Sequence, residues 1–214
     1  FSGGTGLYAI EGEEMGVFEA YVAKTNDQGQ IIVDKNGLPQ NTDEMVKIGS
    51  INYDYMMGIG NTLKYKDFSL SFDFDIRQGG LMFSRTHDIT YFTGNAMQTT
   101  YNDRNPFIVP NSVIDNGDGT FSENNIPLYG TTLYNYWDNG AIAMGSGSLI
   151  SKSYVKLRQV VFGWDVPKKW LAKTFLTGVH ISVFGNNLLM WTPSSNTFVD
   201  PEASSFGNDL EGRI

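Results

Sequence analysis
Ten residues, Phe68 to Arg77 (FSLSFDFDIR), constrain the fold of this chain more than any others. Phe68, Leu70, Phe72, Phe74 and Ile76 alternate with Ser69, Ser71, Asp73, Asp75 and Arg77. Successive side chains of an extended strand point to opposite faces, so this segment separates an apolar phase from a wet one. Two architectures use such a strand: a sandwich over a protein core, and a barrel with lipid outside and water inside. The length matches the roughly 9–11 residues with which a tilted strand crosses a bilayer.

The neighbouring sequence extends the pattern. Tyr55, Met57, Ile59, Leu63 and Tyr65 share one face of the preceding segment, and Gly58, Gly60, Thr62 and Lys64 the other. Only Lys66-Asp67 separates the two runs, the length of a tight hairpin turn. Further along, Ser153–Val166 changes phase: Val155 and Leu157 lie on one side, Val160, Phe162, Trp164 and Val166 on the other. That shift means either a β-bulge near Arg158-Gln159 or a strand boundary drawn in the wrong place. Val179–Gly185 alternates again, with Val179, Ile181 and Val183 opposite His180, Ser182 and Phe184. Upstream, Gly3–Glu14 reads as a loop and Gly16–Ala23 as a strand. Ile31-Ile32-Val33 reads as the centre of a small hairpin with turn chemistry on both sides.

Between Arg85 and Lys152 the periodicity fades into a stretch rich in Asn, Gly, Thr and Tyr, broken by Pro106, Pro110 and Pro127. So long an irregular region is unusual in a compact soluble domain, whereas outer-membrane barrels carry long loops on one side. Pattern favours a barrel over a sandwich. Tyr65, Trp164 and Trp191 near strand ends suit an interfacial aromatic belt, and ordinary aromatic packing accounts for them equally well.

Composition narrows the function classes. A net charge of −8 opposes nucleic-acid binding and docking on anionic lipid, both of which need clustered Lys and Arg. With no cysteine among 214 residues, disulfides and thiolate metal sites are excluded. No run of about 18 apolar residues exists to form a transmembrane helix, which leaves barrel strands open. The chain opens on Phe1 in mid-pattern, so we expect an internal piece of a longer protein.

Four segments resemble the C-terminal barrel portion of the SusC/RagA-type TonB-dependent transporters of Bacteroidetes outer membranes. They are MGVFEAY (Met15–Tyr21), the hairpin Ile59–Gly80 with its YKDF turn, NPFIVPNSVI (Asn105–Ile114), and Tyr154–Trp191. The last contains YVKLRQVVFGWDVPKKWL and VFGNNLLMW, and Asp200-Pro201-Glu202 matches the family's following DPE. One departure is that family members end in a further strand closing on an aromatic residue, whereas this chain stops at Glu211-Gly212-Arg213-Ile214. The resemblance implies an all-β fold in which residues 1–214 form part of the C-terminal half of one transmembrane barrel. In the intact family that barrel has 22 strands, with an N-terminal plug. It further implies a nutrient importer in the outer membrane, energised through TonB and working with a SusD-like surface lipoprotein. The cargo would be an oligosaccharide or an oligopeptide, with no cofactor and no covalent chemistry. A secreted β-sandwich glycan-binding module is the alternative from another class, and a passive porin would differ only outside this chain.

Candidate chemistry is sparse. Asp73 and Asp75 lie two apart on one strand face, as paired glycosidase carboxylates could, but a solvated face beside Arg77 accounts for them. His87 and His180 are far apart and lack further ligands, so no metal site is expected. Asp115–Thr120 (DNGDGT) has a faint calcium-loop look without the terminal Glu, and reads better as a hairpin turn. Tyr134, Tyr136 and Trp137 cluster in the long loop. They could stack on a sugar or grip a peptide, or they could pack the loop itself. No catalytic residue is assigned, and which residues bind ligand is left open.

Overall fold
The computed structural model describes residues 4–139, 145–196 and 199–202. In chain order the strands begin with β1 (Thr5–Tyr8), β2 (Val17–Ala20), β3 (Ile31–Val33), β4 (Val46–Ser50), β5 (Tyr55–Tyr65) and β6 (Phe68–Gln78). They continue with β7 (Leu81–Phe83), β8 (Ser112–Asp115), β9 (Phe121–Glu123), β10 (Leu149–Ser151), β11 (Tyr154–Asp165) and β12 (His180–Trp191). The helices are α1 (Arg85–Phe92), α2 (Thr131–Asn139) and a single turn, α3 (Lys168–Leu171). Two compact units share these elements: residues 53–79 with 152–197, and the remainder.

The first unit is one antiparallel sheet in the order β12-β11-β6-β5. Its β5–β6 hairpin pairs Tyr65 with Phe68 and continues in register to Tyr55 opposite Gln78. Lys66 completes the two-residue turn at φ 53°. A residue is added to β11 between Leu157 and Gln159, which face Phe74 and Asp73 of β6. Of the two readings of the phase shift at Arg158-Gln159, the bulge is therefore the one present. A compensating irregularity lies in β12, where Leu189 and Asn186 oppose the same two residues and Asn187 has φ 51°. The bulges keep one face apolar along all four strands. Leu63, Leu70, Phe162 and Val183 form one rung across it, and Ile59, Phe74, Leu157 and Leu189 another. This face is open, with Val183 69% exposed and Tyr65 71% exposed. At one end of the sheet Tyr65, Phe68 and Trp164 are cross-strand neighbours, with Phe68 stacked on Trp164 at 6.2 Å. Tyr55 and Trp191 occupy the opposite end.

The second unit is built from short pieces. β1, β2 and β4 form an antiparallel sheet in the order β1-β2-β4, in which Val17, Phe18 and Ala20 are fully buried. The segment Thr5–Tyr8 is thus a strand, not the loop its Gly and Glu content predicts; pairing with Val17–Ala20 supplies the order that local composition does not. β3 carries turns at both ends, closed by Gly29 N–H to Asn26 O and Gly37 N–H to Asp34 O. Its main partner is unexpected: Ile31–Val33 runs parallel to Ser112–Ile114 of β8, some eighty residues on.

The stretch 85–152 is also more ordered than its sequence suggests. Ser84 caps α1 by accepting the His87 N–H at 3.0 Å, satisfying one of the first-turn donors of the helix. In α2, Leu133, Tyr136 and Trp137 recur at helical spacing and turn one face into a core with Val33, Phe107, Val109 and Leu128. β7 and β10 pair antiparallel where the stretch departs and returns. No helix among the described residues is long and apolar enough to cross a membrane.

Candidate functional site
The helix-bearing unit contains a cleft of about 410 Å³, framed by α1, α2 and the segment Met97–Arg104. Its back is aromatic: Tyr91 and Trp137 are buried, with ring centroids 6.1 Å apart. Its mouth is aromatic as well. Phe92 and Tyr134 meet edge to face at 6.3 Å and are 53% and 48% exposed. Thr93, Thr99 and the Gly94 backbone supply polar surface, and Arg104 is the one charged residue lining the cleft among the described residues. Burial raises the pKa of the Tyr91 hydroxyl above its ordinary value, keeping it neutral.

Arg104 reaches this site through unusual backbone. Asn102, Asp103 and Arg104 have φ of 51°, 52° and 61°, three consecutive left-handed residues. Asn and Asp tolerate that region, while Arg adopts it only when the surroundings hold it there. Here Asn102 anchors the turn by donating from Nδ2 to Pro106 O at 3.0 Å, and its own carbonyl accepts the Asn105 N–H at 2.8 Å. The guanidinium donates to Gly94 O at 2.9 Å.

The aromatic trio of the long loop divides between two roles. Tyr136 and Trp137 are buried in the core, where Phe107 meets Tyr136 edge to face at 5.4 Å. They pack the loop. Tyr134 is turned toward the cleft mouth. Phe92 and Arg104, which complete the site, had no periodic signal in the sequence; the left-handed turn is invisible there apart from the Asn102-Asp103 pair.

Asp73 and Asp75 do share the polar sheet face, but they do not make an acid–base pair. Asp75 accepts from Arg158 Nε at 3.2 Å and from the Tyr154 hydroxyl at 3.1 Å, with Arg77 at 3.6 Å. Its carboxylate is held by cations and a phenol, a structural arrangement. Arg158 also reaches Asn187 Oδ1 at 3.2 Å, so the two bulged positions are bonded to each other. His180 bonds Asp165 at 2.8 Å on the same face. His87 stacks on Tyr91 at 4.1 Å in the other unit, with Nδ1 3.1 Å from Ser148 Oγ. No group of three or more His, Asp or Glu able to hold a metal ion occurs among the described residues.

Asp115–Thr120 forms the β8–β9 turn, with Asp115 opposite Phe121. Asp118 Oδ1 accepts from Thr120 N at 2.9 Å and Oγ1 at 2.6 Å, and Asp115 Oδ1 from Gly117 N at 2.8 Å. These carboxylates serve the turn, and the Thr120 bonds hold Asp118 below the usual carboxylate range.

No family model matches the chain. It is 29% identical over 181 residues to one TonB-dependent receptor of Formosa agariphila and 26% identical over 173 residues to a second. The alignments cover 85% and 81% of this chain, but the chain spans only 16% of the length of either relative. Among solved structures it is similar in fold to the RagAB peptide importer in its "closed-closed" state, with a TM-score of 0.56 at 18% identity. That match covers 98% of this chain and 23% of the other. The "open-open" state of the same importer gives a TM-score of 0.57 at 16% identity over 98% of this chain and 22% of the other. In sequence the chain is similar to a segment of TonB-dependent receptors, and in fold to a segment of the RagAB peptide importer.

Proposed function
We propose that the chain is part of the C-terminal half of the transmembrane barrel of an outer-membrane, TonB-dependent nutrient importer. The observation that carries this reading is the open apolar face of the β12-β11-β6-β5 sheet. Its strands of 11 or 12 residues suit a tilted crossing of a bilayer, and aromatic residues flank the apolar band at both ends as in outer-membrane barrels. A sandwich would cover such a face with a second sheet about 10 Å away, and these side chains instead stand exposed.

In this reading the face bearing Asp75, Arg158, Gln159 and His180 lines a wet lumen, and the remaining strands close the barrel so that no edge meets lipid. In the same reading the long loop of residues 85–152 reaches the extracellular side, where a SusD-like lipoprotein meets the substrate, an oligosaccharide or oligopeptide. Transport proceeds by binding and gated passage, driven through TonB. The peptide-importer fold relatives favour peptide cargo.

The test is made on the native source. Outer membranes are isolated and the polypeptide containing this sequence is run on a denaturing gel with and without boiling. A large band whose mobility shifts on heating, with a lipoprotein in the same fraction, is the expected outcome. A small soluble species with no heat shift overturns the proposal.

A further inference from the structure
We propose that the cleft between Tyr134, Phe92 and Arg104 is a recognition site for a single carboxylate carried on a flat or apolar group. This proposal rests on the importer reading for the origin of the ligand, and names its chemistry. Arg104 presents five N–H donors, and its one bond among the described residues is to Gly94 O. A guanidinium with donors to spare, beside aromatic walls, matches a carboxylate in the planar, two-point manner that Lys cannot reproduce. Because no second cation lines the cleft among the described residues, one negative charge fits better than a phosphate, which is usually held by clustered Arg and Lys. Among the described residues no acidic side chain lines it to repel an anion.

The exposed faces of Phe92 and Tyr134 supply the other half of the match. A ring or apolar side chain laid against them buries area that water now covers, at little cost in side-chain entropy. The strained turn at Asn102–Arg104 is consistent with this role. Three left-handed residues persist only where the surroundings over-determine them, and such backbone concentrates at ligand sites. Two nutrients carry this chemistry: an oligopeptide with a free C-terminal carboxylate, and a uronate-bearing oligosaccharide.

The experiment uses the intact receptor, purified in detergent, and two matched probe pairs. One pair is a pool of short oligopeptides ending in Phe or Tyr, with free or amidated C-termini. The other is an oligosaccharide carrying one uronate and its neutral methyl ester. Binding is read by native mass spectrometry for the wild type and for Arg104→Gln, which removes the charge and leaves a shorter, neutral amide. We expect the free carboxylate of one pair to bind, and Arg104→Gln to weaken it about 10- to 100-fold, the effect of losing a charge-assisted hydrogen bond. The neutral partner should be unaffected. The pair that responds identifies the source. Tyr134→Ala should weaken both members of that pair equally, and serves alongside Arg104→Lys if Arg104→Gln loses its heat-shifting band. Binding that ignores the carboxylate, discrimination that survives the Arg104 variants, or no binding of any probe overturns the assignment. The importer reading is separated by TonB-dependent uptake in cells: uptake without carboxylate discrimination leaves the importer standing and removes the site.

Discussion

At the scale of single residues, two positions make measurable claims. His87 is buried against Tyr91, and burial lowers its pKa from 6.5 to about 4. The folded state therefore resists protonation that the unfolded state accepts below pH 6.5. Its contribution is fully retained above that value and lost progressively as pH falls toward 4, to a limit of about 3 kcal/mol. Hydrogen exchange of the α1 amides in the intact receptor, corrected for intrinsic rates, should show this loss, and His87→Gln should flatten it. An unchanged pH profile in the variant would exclude His87 as the cause. Lys66 occupies the β5–β6 turn at φ 53°, where a side chain costs about 1 kcal/mol that Gly avoids and Asn reduces. Lys66→Gly should raise the unfolding midpoint of the barrel in urea; a lowered midpoint would show that the Lys66 ammonium over the Tyr65 ring, 5.2 Å from its centroid, outweighs the backbone term.

At the scale of elements, β6 gives the sharpest test of which phase each face meets. Phe72 sits mid-strand on the apolar face, opposite Asn61 and Val160. Ser71, one residue away, points to the polar face and bonds Thr62 at 2.9 Å. If the apolar face meets lipid, Phe72→Arg should cost about 2–4 kcal/mol near the bilayer midplane, and Ser71→Arg no more than about 1 kcal/mol. Folding into lipid vesicles across a urea series would measure both, and equal costs would reject a lipid-facing assignment. The bulge in β11 belongs to this scale too. Without the extra residue at Arg158, every apolar side chain from Gln159 onward would change face. Deleting Arg158 should therefore abolish the heat-shifting band, whereas Arg158→Ala, which keeps the register and loses the Asp75 bond, should retain it at reduced stability.

At the scale of the whole molecule, the four-stranded sheet ends, among the described residues, in two unpaired edges, β5 and β12, beside an open apolar face. On the barrel reading proposed above, such edges in lipid would leave backbone groups unpaired, and neighbouring strands would have to complete them. Expressed by itself, the chain should aggregate in buffer and disperse in detergent. A monodisperse monomer by size exclusion in buffer would favour the sandwich module instead.

What the sequence determined by itself was everything governed by period-two alternation. The β5–β6 hairpin, the apolar face, the bulge near Arg158 and the β8–β9 turn all follow from neighbours within a few residues, because strand phase and turn chemistry are local. What only the tertiary structure decided were features joined over long separations. Ile31–Val33 acquires its parallel partner at Ser112–Ile114, Thr5–Tyr8 becomes a strand by pairing with Val17–Ala20, and α1 and α2 bring Phe92 beside Tyr134. Arg104 reaches the same cleft on left-handed backbone that no residue pattern announces. Nothing local selects these arrangements. The cleft and the parallel pairing rest on the burial of Val33, Tyr91, Phe107, Tyr136 and Trp137 in one core, and the Thr5–Tyr8 pairing accompanies the burial of Val17, Phe18 and Ala20; such burial offsets backbone strain and the entropy of ordering the chain.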